Sequence, residues 1–208
     1  MSSKKVIAVL GVGPGIGRAV ALEAVANEIK QHSGAQTLSI PTDARDPASV
    51  KQAFETIRKE LGAPDVLVYN AGGFKYGGIL DIDPTEFDNL WKSNCFGAFL
   101  ATQEVLPGML EKGSGTILYT GATASLRGGA KFSGLSTARE FGPQGIHVAH
   151  IIIDGQVDLE RSIKAQEGRA LDSFLSSDAI AEEYWHLYTQ HKTTWTLELD
   201  LRPYVEKF

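Results

Sequence analysis

Val6-Ile7-Ala8-Val9-Leu10-Gly11-Val12-Gly13-Pro14-Gly15-Ile16-Gly17-Arg18 is an apolar, β-branched run that breaks into a glycine-spaced turn. The run reads as a buried strand, and Ile16, Ala19, Val20, Ala26 and Ile29 fall on one face of a helix opening right after it. Gly11 permits a tight turn, Gly13 and Gly15 let backbone approach a ligand, and Gly17 lets helix and strand pack closely. The free N–H groups and positive dipole end of the helix start then face the turn, which suits a pyrophosphate. The spacing therefore predicts a dinucleotide site at Gly11, Gly13, Pro14, Gly15, Ile16 and Gly17. The alternative is a glycine-rich βα turn that holds no ligand.

The rest of the chain sets bounds on that reading. Its 208 residues suit one α/β domain, residues 1–208, with a substantial core. A net charge of -5 offers no basic surface to nucleic acid or an anionic membrane. Cys95 is the single cysteine, so the chain holds no internal disulfide and no cysteine-based zinc site. Met1-Ser2-Ser3-Lys4-Lys5 runs straight into the first strand, so no signal peptide is expected. No apolar run approaches the roughly 20 residues needed to span a bilayer. A soluble, cytoplasmic protein is the expectation.

Strand-like and helix-like segments alternate along the chain, which argues for a parallel sheet covered on both faces. Lys5 to Leu10, Ala35 to Ile40, Asp65 to Tyr69, Gly115 to Thr120, Ile146 to Ile153 and Trp195 to Leu199 read as strands. Asp46-Pro47 is a helix N-cap with proline at the first position. Val50, Ala53, Phe54, Ile57 and Leu61 keep helical period behind it, and Gly62 closes that helix. Pro84 to Leu106 reads as largely helical, with Phe87, Leu90, Trp91, Phe99 and Leu106 as expected core. Asp178 to Gln190 is a further helix.

Four segments in order resemble the short-chain dehydrogenase/reductase family, which binds NAD or NADP on a Rossmann fold. Gly11 to Gly17 is similar to its glycine turn, with Leu10 where a threonine is usual. Asp43-Ala44 stands where the family hydrogen-bonds the adenine. Asn70-Ala71-Gly72, directly after a strand, stands where the family lines the cofactor ribose. Ser93-Asn94 stands where the family places an Asn that bends the helix and supports a proton relay. The resemblance implies a three-layer, doubly wound α/β sheet, NAD or NADP as cofactor, a small carbonyl or alcohol as substrate, and dimers formed partly through two helices. The tail from Trp195 to Pro203 looks like one subgroup of the family.

The departures from the family are as specific. Its chemistry needs a Tyr as general acid/base, a Lys four residues later, and a Ser or Thr to hold the substrate oxygen. Strand register puts Ala122 at the Ser position, with Thr123 or Ser125 able to substitute only through a shifted loop. Counting on from Ala122 puts Leu135 and Arg139 at the Tyr and Lys places. Arginine stays protonated and can lower a neighbour's pKa, whereas leucine has no proton to give. The Lys131–Phe141 helix has room for two or three turns, which reads as a shortened catalytic helix. No β-branched strand lies between Gly17 and Thr37, so one family strand is missing. The simplest model then pairs Ala35–Ile40 directly beside the first strand. A spliced, mis-assembled, engineered or naturally slimmed form would each explain two in-frame losses, and the shortened helix leaves self-assembly open.

Two functional readings follow. The first is an atypical oxidoreductase in which Asn94 and Thr123 carry what remains of the relay. The second is a non-catalytic nucleotide-binding or scaffold protein. His147 and His150 read as structural residues at a buried strand, since no histidine shows metal-site spacing with a carboxylate. Tyr76 and Tyr119 are the tyrosines nearest the expected site, and Cys95 reads as packed rather than reactive. No G-x-S-x-G elbow or P-loop ending is present in the sequence.

Overall fold

Val66-Leu67-Val68-Tyr69 is buried on both faces and forms the strand β2, Val66–Tyr69. Such a run belongs at the centre of a parallel sheet with helices on either side. The computed structural model describes residues 5–11, 37–38, 40–73, 75, 81–122, 134–166 and 168–205. Among them, β1 (Ile7–Leu10), β2, β3 (Gly115–Ala122), β4 (Ile146–Ile153) and β5 (Glu198–Leu201) form one parallel sheet in sequential order.

The period of two sorts each strand between two cores. Ala8, Leu67, Tyr69, Ile117, Tyr119, Ile146 and Val148 point to one face. There they meet α1 (Pro47–Glu60), α3 (Gly97–Lys112) and α4 (Gly134–Phe141). Val66, Val68, Leu118, Ala149, Ile151 and Ile153 point to the other face, against Ile180, Ala181, Tyr184 and Leu187 of α6. That helix spans Ser177–Thr189, after the short α5, Glu160–Ala165. The result is the expected three-layer α/β arrangement.

Local chemistry sets the element ends. Asp46 caps α1 by accepting from the Ala48 N–H at 3.0 Å, with Pro47 at the first position. Gly62, at φ +102°, ends it by donating to the Ile57 and Arg58 carbonyls. Asp83 caps α2, Pro84–Trp91, in the same way. Between α2 and α3, Lys92–Phe96 widens into a π turn, with the Gly97 N–H bonded to the Lys92 carbonyl.

Three expectations are corrected. Phe87, Trp91 and Phe99 are 59%, 41% and 41% exposed rather than core. The face of α3 against the sheet carries small residues and a few larger ones, Gly97, Ala98, Ala101, Thr102, Val105 and Met109, which bring the helix close. The rings of Trp91, Phe96 and Phe99 instead stack on one another outside, with centroids 5.6 and 6.3 Å apart. Thr37, Leu38 and Ile40 carry no strand, Leu38 is exposed, and β1 is the edge of the described sheet. The expected Ala35–Ile40 strand beside β1 is therefore not formed by its described residues; Ala35, Gln36 and Ser39 lie outside them. The last strand starts at Glu198 instead of Trp195, because Trp195 stacks on His147, with ring centroids 4.8 Å apart, and takes no part in the ladder. The short helix is observed as Gly134–Phe141, with Lys131 to Ser133 outside the described residues.

Candidate active site

The carboxyl ends of β1, β2 and β3 lie side by side, where open α/β sheets bind ligands. Gly11 turns the chain away from β1 at φ +82°, a conformation glycine adopts without cost. A Cβ at that position would stand 2.5 Å from the Ala71 nitrogen, so the two turns are packed backbone to backbone. Asn70 holds them together: its N–H donates to the Leu10 carbonyl and its Nδ2 to the Gly11 carbonyl, each at 3.0 Å.

Asn94 locks the far side of that turn. Within the π turn its side chain leaves the helix and clasps one residue of backbone. Its Oδ1 accepts from the Gly73 N–H at 2.7 Å, and its Nδ2 donates to the Gly73 carbonyl at 3.0 Å. Gly72 is bare where a Cβ would meet Asn94 Oδ1 at 2.8 Å. Tyr69 ties the same place from below, its hydroxyl donating to the Ser93 carbonyl, and burial pushes that phenol far above its usual range.

Asp43-Ala44 comes in from the side, with the Ala44 carbonyl in the space a Cβ on Gly97 would need. The Asp43 carboxylate is exposed and accepts from the Arg45 backbone N–H, Nε and Nη2, each at 2.9 Å. The Arg45 guanidinium holds it down at about 2. A carboxylate offers about four lone-pair sites, so Oδ2 keeps acceptor capacity for one more donor. Arg45, Gly72, Gly73, Lys75, Glu86 and Ser93 help line an open depression of about 370 Å³ beside this frame.

Asn70, Ala71, Gly72, Gly11, Asp43, Ala44 and Asn94 are thus brought together. Gly13, Pro14, Gly15, Ile16, Gly17, Thr123 and Tyr76 lie outside the described residues. Ala122 ends β3 exposed, with a methyl group only. Arg139 is exposed on α4. Tyr119 is buried and bonded to Thr102 Oγ1 at 2.6 Å, and burial raises its pKa, so it is no ready acid. Burial also pushes the Cys95 thiol up, away from thiolate chemistry.

A family model for short chain dehydrogenases matches residues 18–149. This chain belongs to the short chain dehydrogenase family. Among its relatives, versicolorin reductase of Emericella nidulans is 31% identical over 144 residues, 60% of this chain and 54% of that protein. The chain thus spans about half the length of that relative. The 3-oxoacyl-(acyl-carrier-protein) reductase of Escherichia coli is 28% identical over 188 residues, 76% of this chain and 77% of that protein. A short-chain dehydrogenase structure from Rhodopseudomonas palustris superposes with a TM-score of 0.74 at 29% identity, covering 96% of this chain and 99% of that one. The alcohol dehydrogenase of Thermococcus sibiricus, solved with 5-hydroxy-NADP, shares the fold at a TM-score of 0.77 and 22% identity, covering 98% and 99% of the two chains.

Sequence reasoning missed one feature of the site region, the pairing of His150 with Glu198. Their ring nitrogen Nδ1 and carboxylate oxygen Oε2 lie 3.1 Å apart. The signal was in the sequence: a polar residue interrupts the run Val148-Ala149-His150-Ile151-Ile152-Ile153, a strand otherwise buried on both faces.

Proposed function

We propose that this chain is an NAD- or NADP-dependent oxidoreductase acting in the cytoplasm on a small carbonyl or alcohol substrate. The observation that carries this reading is the clasp of Asn94 on Gly73, together with the Gly11–Asn70–Ala71 contact. These bonds spend an exposed Asn side chain on fixing a loop at the strand ends, which is where a dinucleotide would lie. Gly13, Pro14, Gly15, Ile16 and Gly17 are assigned to the pyrophosphate, and Asn70, Ala71 and Gly72 to the ribose. Asp43, with its spare acceptor, is assigned to the adenine amino group beside Ala44. The nicotinamide supplies or takes up the hydride. Asn94 and Thr123 are assigned to substrate and proton handling. Domain 1–208 acts as one unit in this reading.

A second reading, a nucleotide-binding protein without turnover, is favoured by the methyl group of Ala122 and the exposure of Arg139, which leave the family's Ser and Lys places without their usual chemistry. The rings of Phe87, Trp91, Phe96 and Phe99 are the surface a second copy would cover if the protein self-associates. Among the described residues no helix is long and apolar enough to cross a membrane.

The deciding experiment follows NADH and NADPH absorbance with the full chain and a set of carbonyl compounds that includes diacetyl and acetoacetyl-CoA. Consumption dependent on both protein and carbonyl supports the oxidoreductase. Nucleotide binding without consumption against any compound leaves the second reading.

A further inference from the structure

His150 lies in β4 on the face shared with Tyr119, Val148 and α4, three residues from the strand's carboxyl end. Its Nδ1 lies 3.1 Å from Glu198 Oε2 on β5. A carboxylate only accepts, so the ring proton sits on Nδ1 and the neutral ring presents a bare Nε2. Nε2 has no hydrogen-bond partner among the described residues. The ring is not fully shielded, its side chain being 16% exposed. Nε2 occupies the space a Cβ on Gly121 would take, and two ring carbons lie 3.1 Å from that position. Gly121 is thus the residue that lets the imidazole reach the end of β3.

That place adjoins the dinucleotide frame. Tyr69 of β2 pairs with Tyr119 of β3. Continuing the register by two residues sets Gly121 level with Ala71, the residue packed against Gly11. β4 is two strand spacings from β2, about 10 Å, so a substrate seated between them is within reach of the ring. The other described proton carriers nearby are engaged: Tyr119 with Thr102, Tyr69 with the Ser93 carbonyl, and Tyr184 with Thr120 on the opposite face.

We propose that His150, oriented by Glu198, is the general acid/base of this protein, in place of the family's tyrosine. This rests on the oxidoreductase reading above. In the reducing direction, the imidazolium gives its Nε2 proton to the carbonyl oxygen while the carbon accepts a hydride from NADH or NADPH. The products are the alcohol, the oxidised dinucleotide and neutral imidazole, which regains a proton from water. Glu198 keeps the Nδ1 proton in place and stabilises the charged ring, the logic of an oriented base.

The test uses the full chain, with nucleotide binding and NAD(P)H consumption read separately on the same carbonyl set. His150→Asn and His150→Gln are each expected to lower kcat about 100-fold or more, the usual worth of a positioned proton donor, while the nucleotide-induced rise in Tm stays. Glu198→Gln is expected to lower kcat less and to displace the alkaline limb of the pH–rate profile for carbonyl reduction, where the proton donor is lost. Undiminished kcat in folded His150 variants overturns the His150 assignment and leaves the oxidoreductase standing. No consumption by the unaltered chain against any carbonyl, with nucleotide still binding, overturns both.

Discussion

Replacing Gly121 with alanine tests whether the His150 ring sits where it is described. The new Cβ would overlap Nε2 and lie 3.1 Å from two ring carbons, so the imidazole must withdraw. Withdrawal breaks the contact with Glu198, worth about 1 kcal/mol for a partly exposed pair. Crowding a packed surface adds about 1–3 kcal/mol. Alanine's advantage over glycine in a strand returns about 0.5–1 kcal/mol, because Gly121 needs no positive φ. The net is a loss of about 2 kcal/mol, a fall in Tm of about 4–8 °C for a chain of this size. In a His150→Ala background the three nearest atoms, all of the ring, are gone, and the substitution gains the backbone term. Urea unfolding of the four proteins in this cycle should give a coupling of about 2–3 kcal/mol. Equal costs of Gly121→Ala in both backgrounds would refute the placement of the ring.

Other outcomes follow from the same geometry. Gly11→Ala, at φ +82° and facing the Ala71 nitrogen at 2.5 Å, should destabilise by more than about 1 kcal/mol and reduce the nucleotide-induced Tm shift, read by thermal unfolding. Asn94→Ala removes two bonds to Gly73 and should cost about 1–2 kcal/mol, with weaker nucleotide binding by titration calorimetry. Burial holds the His147 pKa below its usual 6.5, so the folded chain resists protonation there. The unfolded chain then binds more protons below about pH 6.5, and stability should fall as pH drops through that value; His147→Gln should flatten this slope in urea unfolding. Arg45→Ala should let the Asp43 carboxyl rise from about 2 towards 3.8, read by carbon NMR of the carboxyl group.

The layer order and four of the strands were legible because β-branched runs and capped helix starts are local signals. Asp46-Pro47 and Gly62 sit within two residues of where the helix begins and ends. Residue size alone misleads about the core face of α3. Close approach of helix to sheet selects Gly97, Ala98 and Ala101, and sends Phe99 outward. Leu38 fits an apolar strand in sequence, yet burial depends on a neighbour the strand must find, and a short run carries no information about that partner. Gly11, Asn70 and Asn94 stand out in the sequence and lie together at the strand ends, since each solves a backbone problem beside its own element. His150 and Glu198 are 48 residues apart and become partners only through the β4–β5 register. A polar residue in a buried run marks His150, but nothing local marks Glu198 as its partner.

Thermal unfolding of the full chain with millimolar NAD, NADH, NADP and NADPH in turn tests the central claim, a dinucleotide site at the carboxyl ends of β1 and β2. At a ligand concentration about a hundred times Kd, binding adds about 2.7 kcal/mol. The Tm should then rise by about 5–10 °C with at least one of the four. A cooperative transition at the same temperature with all four would contradict the claim.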